Sequence, residues 1–244
     1  MAAIPGGRLP RGEIIQSACT RVGNNEPTFV QSARVRLNRI LAELYLNWDW
    51  PFLYRQIPID LTVAGQVPLP ADFLKSQDDY ALTITRIGFQ ETRRRVSEVD
   101  RMTYERLLRV QQGQAMPRVW HADRSTGMLL FTPVPPEGCP ATLRYKFLPP
   151  DVPEGSGDPD DPVTAAYDAD VPIFAYGVYL SDAVLEWGMG YESDPRQPQQ
   201  KADNASMFQT IRGAAFPPHA VFPLGPGLDP DVFGRPFGGE EDIF

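Results

Sequence analysis

Cysteine and histidine are almost missing from this chain of 244 residues, which has only Cys19, Cys139, His121 and His219. Two cysteines cannot make a disulfide scaffold, and this handful of scattered ligands does not support a Cys/His zinc site. A reducing, intracellular place of synthesis is therefore expected. Lysine is scarce too, and Lys75, Lys146 and Lys201 stand in no glycine-rich phosphate loop. Neither a G-x-S-x-G nucleophile elbow nor an H-E-x-x-H helix occurs. His121 follows Trp120 in a strand-like stretch, and His219 follows Pro217-Pro218 with no nucleophile nearby. The candidate carboxylate pairs fall in a linker or on helix surfaces, where a glycosidase dyad has no evident frame. No apolar run approaches membrane-spanning length, and the start, Met1-Ala2-Ala3-Ile4-Pro5-Gly6-Gly7, is too short and broken for a signal peptide. The expectation is a soluble protein that is not an enzyme and has no cofactor, no resident metal and no membrane partner.

What the chain has is a core's worth of apolar residues, 42%, and an uneven distribution of charge. Residues 1–150 hold 19 Lys/Arg against 14 Asp/Glu, and residues 151–244 hold 4 against 17, for a formal net charge of −8. Such asymmetry suits a protein whose two ends meet different surfaces, and solvated acidic loops would also produce it. Arg93, Arg94 and Arg95, followed by Arg101, Arg106 and Arg109, form a basic cluster that could face phosphates or another subunit's acidic linker. A pI of about 4.8 argues against a protein that grips DNA.

The densest aromatic stretch, Trp48-Asp49-Trp50-Pro51-Phe52-Leu53-Tyr54, falls where a helical period stops and an alternating one begins. Trp48, Trp50, Phe52 and Tyr54 are expected to be packing anchors of a joint; an exposed platform for a sugar, a base or a partner chain is the alternative. Ahead of it, residues 1–11 form a flexible arm. A first helix is expected from Gly12 to Val22, stopped by Gly23, and a second begins at Asn25-Glu26-Pro27. Phe29, Ala33, Leu37, Ile40, Leu41, Leu44 and Trp48 make its apolar stripe, leaving Arg34, Arg36, Asn38, Arg39 and Glu43 on solvated faces or against an acidic neighbour.

Residues 51–148 are expected to be a small, mostly β insertion. Its strands are Arg55 to Val63, Tyr80 to Phe89, Arg93 to Val96, Arg118 to His121, Gly127 to Thr132 and Ala141 to Phe147, with a turn at Ala64-Gly65-Gln66. Asp100 caps one helix, with Leu107 and Leu108 facing inward. Residues 149–170 are an acidic linker with almost nothing to bury, whose Asp158-Pro159-Asp160-Asp161 could offer oxygen ligands to a hard cation. Asp170 caps a third helix ended by Gly188-Met189-Gly190, in which Gly177 and Ser181 allow close approach of a neighbour. The fourth runs from Asp194-Pro195 to about Arg212, and Gly213 closes it. Two helices in 12–50 and two in 171–213 predict an α+β protein built as a four-helix bundle with a β insertion. Residues 214–244 are an extended Pro/Gly-rich tail in which Phe216, Phe222, Phe233, Phe237 and Phe244 suit docking in a partner's groove.

The order of these features resembles the head-to-tail adaptor, or connector, proteins of short-tailed bacteriophages. An A-x-x-x-L-N helix, here Ala33 to Asn38, runs into Trp48-Asp49-Trp50-Pro51-Phe52-Leu53. Leu69-Pro70-Ala71-Asp72-Phe73 is similar to that family's L-P-x-D-F segment. Met116-Pro117-Arg118-Val119-Trp120, Met128 to Pro135, and Leu143-Arg144-Tyr145 resemble its later succession, and Asp168-Ala169-Asp170-Val171-Pro172 enters an apolar helix as expected. The similarity spans roughly residues 12–212; the acidic linker and the long tail depart from it.

The resemblance implies a structural virion protein made in a bacterial host's cytoplasm and located in the phage neck. Many copies, usually twelve, would form a homo-oligomeric ring between the portal and the tail nozzle protein. DNA would pass through its lumen without specific binding, an acidic balance keeping the channel from sticking. The C-terminal segment would reach the portal. A nozzle or other tail component is an alternative, as is a carbohydrate-binding or hydrolysing tail protein that uses Trp48, Trp50 or Trp120.

Overall fold

A computed structural model describes residues 7–78, 81–86, 92–110, 113–158 and 160–216, with the side chains of residues 85, 86, 92 and 93 outside that set. The first helix, α1 (Arg11–Val22), ends where Gly23 adopts φ 86 and donates its N–H to the Cys19 and Thr20 carbonyls. Proline opens α2 (Pro27–Asn47) at its first position, and Phe29, Ala33, Leu37, Ile40, Leu41 and Leu44 all turn inward as their spacing requires. Pro51 breaks the helical run, and a single 3-10 turn, Pro51–Leu53, leads into β1 (Tyr54–Leu61).

The strands that follow are β2 (Gln66–Pro68), β3 (Phe73–Ser76), β4 (Leu82–Arg86), β5 (Thr92–Glu98), β6 (Val119–Asp123), β7 (Met128–Thr132) and β8 (Cys139–Phe147). They form one mixed sheet in the order β1-β8-β4-β5-β6-β7-β2, with β3 also paired to β8. Every pairing is antiparallel except that of β5 with β6, between which α3 (Arg101–Val110) makes the crossover. Gly65, at φ 74, turns β1 into β2, so the two ends of the strand order are joined by a short connection and the sheet curls into a nearly closed barrel. Pro58 is accommodated because β1 pairs only with β8.

A four-helix bundle is not what this sequence makes. Among the described residues there are six α-helices, the remaining three being α4 (Pro162–Ala169), α5 (Gly177–Tyr191) and α6 (Gln197–Ala215). The apolar circumference of α5 makes it a hub on which α1, α2 and α6 pack, while α4 packs on α1. The β part is no small appendage either: one continuous apolar cluster runs from Ile14 and Leu37 through Trp50 to Leu143 and Phe131.

Several local expectations also need correction. The acidic linker contains α4, whose Tyr167 is fully buried and whose cap is Asp161. Asp170 ends α4 instead of starting the next helix, and α5 begins only at Gly177. Gly190 does not stop α5, which continues to Tyr191, and Gly213 lies inside α6. The strand β3 was not expected. On α3, Leu108 is exposed and Tyr104 is the buried residue, so its inward face lies one turn nearer the Asp100 cap.

The helices are tied together by charge as well as by packing. Arg34, expected on a solvated face or against an acidic neighbour, is buried and takes the second course, gripping Asp168 of α4 through two hydrogen bonds of 3.2 and 2.8 Å. Arg11 bonds Asp170 at 2.7 Å, also reaches Asn38, and lies 5.0 Å over the Tyr167 ring. Asn38 in turn donates to the Val152 carbonyl at 3.0 Å and to Glu154 at 2.7 Å. These bonds hold Val152, Glu154, Asp168 and Asp170 down on α1 and α2.

Gly12 marks how closely α4 is drawn in, since a Cβ there would sit 2.9 Å from the Asp168 Cβ and 3.1 Å from its carbonyl oxygen. Gly12→Ala is expected to destabilise the protein by about 1–2 kcal/mol, because overpacking against backbone at about 1–3 kcal/mol exceeds the gain of about 1 kcal/mol in helix propensity. Urea denaturation of the two proteins, followed by circular dichroism, measures the difference.

Candidate interaction site at the helix–sheet joint

Two consequences of Pro51 define this site: α2 must end, and the chain must enter β1 beside β8. Trp50 is fully buried there, and its indole Nε1 donates to the Leu44 carbonyl at 3.0 Å, satisfying a helix-end acceptor. Around it stand Phe52 at a ring-centre distance of 5.9 Å, Phe174 at 5.3 Å, Phe208 at 6.2 Å and Phe216 at 5.4 Å. Trp48 is half-buried, with Phe208 at 5.3 Å and the Arg212 guanidinium 4.6 Å over its ring. Phe52 and Tyr54 are partly covered. The anchor role expected of this stretch fits Trp50 best.

Polar bonds fasten the same place. The side chain of Lys146, on β8, is wholly buried, and its ammonium donates to the Trp48 carbonyl at 2.7 Å and to Asp49 Oδ1 at 3.1 Å. Lys75, on β3, adds a bond of 2.8 Å to the same carboxylate. Partial burial pushes the Asp49 carboxyl up, but the hydrogen bonds from Lys75 and Lys146 outweigh it and hold the group below its usual range. Beside Lys146 on β8, the Tyr145 hydroxyl donates to Asp72 at 2.8 Å while Arg55 pairs with the other oxygen of that carboxylate at 2.8 Å. Burial, then the bond to Asp72, pushes Tyr145 up to about 12. Tyr167, enclosed between α2 and α4, is raised by burial to about 12 as well.

Asp72 and Tyr145 entered the sequence reading only within the family-like motifs, and Lys146, Phe174 and Phe208 were given no role at the joint. The usable signal was a lone lysine at an alternating, otherwise apolar strand end, which needs a buried partner.

A groove of about 580 Å³ opens beside the joint between α2, α5 and α6, with Trp48, Tyr179, Trp187, Tyr191 and Phe208 on its walls. Of the three tryptophans that a glycan platform would use, Trp50 and Trp120 are fully buried and only Trp48 reaches this groove. Both cysteines are buried, and burial raises both thiols. His121 bonds the Val99 carbonyl at 3.0 Å and packs along the Tyr104 ring, a structural setting.

The basic cluster is spread over two elements. Arg94 and Arg95 are exposed on β5, Arg106 is exposed on α3, and Arg101 is paired with Glu105 at 3.0 Å; the Arg93 side chain lies outside the described residues. Asp161 is committed to its own loop, accepting from the Ser156 N–H and hydroxyl at 2.8 Å and from the Val163 N–H at 3.0 Å, which lowers it to about 2. Among the described residues no group of three or more His, Cys, Asp or Glu could hold a metal ion. Of the tail phenylalanines, Phe216 packs on Trp50, whereas Phe222, Phe233, Phe237 and Phe244 lie outside the described residues. No helix among the described residues is long and apolar enough to cross a membrane. No protein-family model and no curated protein matches this chain.

Trp50→Ala is expected to cost about 3–5 kcal/mol, as removal of a large buried aromatic does, measured by urea denaturation. A loss below about 1 kcal/mol would place the ring at the surface. The tyrosines give a pH signature. Tyr145 and Tyr167 ionise near about 12 when folded and near about 10 when unfolded, so their contribution to stability is complete below about 10 and lost as pH rises through about 12. Ultraviolet titration of the native protein should show a late-ionising fraction of its nine tyrosines, and Tyr145→Phe should remove part of it.

Proposed function

We propose that this protein is a structural virion component, a head-to-tail adaptor whose copies form a ring joining a phage portal to the tail nozzle, with DNA passing through the lumen. One observation carries the assignment: the short motifs that suggested it, far apart in sequence, are bonded to one another at the joint. Trp48-Asp49-Trp50 meets β8 through Lys146, the residue after Leu143-Arg144-Tyr145, at 2.7 Å to the Trp48 carbonyl. Leu69-Pro70-Ala71-Asp72-Phe73 meets it through the Tyr145–Asp72 bond of 2.8 Å and the Phe73–Tyr145 ring stack at 5.5 Å. The stretch that begins at Asp168 supplies Phe174 to the face of Trp50. Segments that are individually weak signals act here as one physical unit, which favours a shared origin over chance matches. The chain also leaves α6 at this joint, where Phe216 packs on Trp50, and a docking tail would have its root there. The exposed Arg94, Arg95 and Arg106 are available to a neighbouring subunit's acidic face or to DNA in the lumen.

Mixing the full-length protein with the portal of the same phage should give ring-sized assemblies by mass photometry. Deleting residues 217–244, which spares Phe216 and its contact with Trp50, should leave circular dichroism unchanged and abolish that assembly. Absence of any ring or co-assembly with the full-length protein overturns the assignment. Binding to an isolated adaptor ring but not to the portal would identify a nozzle component instead.

A further inference from the structure

We propose that α3 of one copy of this protein lies in the groove between α2, α5 and α6 of the next copy, with Arg106 facing Glu43 and with Met102 and Val110 over the groove's aromatic ends. The two most exposed large apolar side chains among the described residues are Met102, at 82%, and Val110, at 76%, and both are on α3. They stand four residues to either side of Arg106, so the three follow one line along the helix, about 12 Å long. Tyr104, the buried residue, packs along His121 of β6, and Met102 and Arg106 lie on the side away from it. Arg101 is paired with Glu105, whereas Arg106 is exposed and has no ion-pair partner among the described residues. An apolar, basic, apolar line left open on a helix suits docking in a partner's groove.

The groove, of about 580 Å³, has the complementary order. Its α2 and α5 walls run in opposite directions: Phe29, early in α2, stacks on Trp187, late in α5, at 5.5 Å, and Phe208 meets both Trp48, at 5.3 Å, and Tyr179, at 5.5 Å. One end is therefore Trp48, Tyr179 and Phe208, and the other is Trp187 with Tyr191, which is 64% exposed. From Tyr179 to Trp187, α5 rises about 12 Å, the span from Met102 to Val110. Methionine adapts well to such aromatic surfaces. Glu43 lies on α2 between the two ends, exposed and with no hydrogen-bond or ion-pair partner among the described residues, while Glu186 accepts from Asn204 at 2.8 Å. Both carboxylates act on Tyr179, whose hydroxyl burial and then their charge push up. Arg36 lines the groove toward Trp187 and Arg212 lies over Trp48, so the open negative charge is confined to the middle, where Arg106 would stand. Within one chain, α3 packs on β6 and β7 while the groove belongs to other elements, so the two surfaces are separate. Contact between unlike surfaces of identical copies is heterologous and closes into a ring when the rotation per copy allows. The inference rests on the adaptor reading for that closure alone. One helix in a groove is a small interface, and ring closure, in which every copy gives one and receives one, adds avidity to it.

Met102→Cys and Ala183→Cys, combined in the full-length protein, put one thiol on each surface, and the native Cys19 and Cys139 are buried. Ala183 lines the groove one helical turn from Tyr179 and from Trp187, so it is within reach of Met102 at either end. The chain is oxidised with copper phenanthroline, once alone at high concentration and once mixed with the portal. A denaturing gel should show a ladder of disulfide-linked oligomers for the doubly substituted chain, only dimers for a mixture of the two single variants, and neither for a single variant alone. Arg106→Glu should lower the ladder about tenfold, as like charges across an interface do, and adding Glu43→Arg should restore it. Circular dichroism checks each variant, and both positions of the charge swap are exposed. A ladder in neither setting, dimers from Met102→Cys alone, links closed within single chains, or a charge reversal that has no effect or is not rescued would each overturn the proposal. Co-assembly with the portal and no ladder removes this contact and leaves the adaptor reading; a ladder without co-assembly does the reverse.

Discussion

The buried ammonium of Lys146 is the constraint on which the rest of the structure turns. A charge removed from water is tolerable only when it is paired and hydrogen-bonded, and here the partners are the carbonyl of Trp48 and the carboxylate of Asp49. Those two residues belong to the exit of α2, and Lys146 to the end of β8. Helical layer and sheet therefore cannot separate without stranding the ammonium. Trp50 occupies the space that this bond closes, and its indole N–H, bonded to Leu44, ends the helix in the same place. The apolar cluster is continuous across the boundary because the polar pair fixes the register in which it forms.

A second set of charges does for the helices what Lys146 does for the sheet. Arg34 and Arg11 draw Asp168 and Asp170 inward, and Asn38 collects the backbone of Val152 and the Glu154 side chain. A segment that is acidic and proline-rich is thereby folded against α1 and α2. Charge that would keep such a segment in solvent instead becomes the means of its attachment. In addition, Tyr167 fills the gap between α2 and α4 and donates its hydroxyl to the Arg34 carbonyl at 2.9 Å. The uneven charge of the two halves of the chain is thus partly neutralised inside the fold.

Features written in neighbouring residues were legible from the sequence. The α2 stripe, the Gly23 stop, the Gly65 turn, the Asp100 cap and the break at Pro51 each depend on a few adjacent positions, and each falls where its chemistry requires. The helix α4 also had a local signal, the Asp161-Pro162 cap and first turn, which the acidic composition around it masked. The bundle was misjudged because helix count and periodicity do not say which helices touch. The broad apolar surface of α5 makes it a common neighbour, and that is a property of assembly, not of any one segment.

What the sequence determined by itself is therefore the punctuation of the chain and the inward face of its best helix, along with the aromatic joint between helical and alternating patterns. Tertiary structure alone decided that Arg34 is buried, that Lys146 closes the joint and that the sheet curls back on its first strand. It also decided that an aromatic groove lies beside the point where Phe216 leaves the helix. The physical reason is distance along the chain. Arg34 and Asp168 are 134 residues apart and Lys146 and Asp49 are 97 apart, and no local pattern encodes which distant charge will cancel a buried one. The aromatic stretch marked the place, and folding supplied its partners.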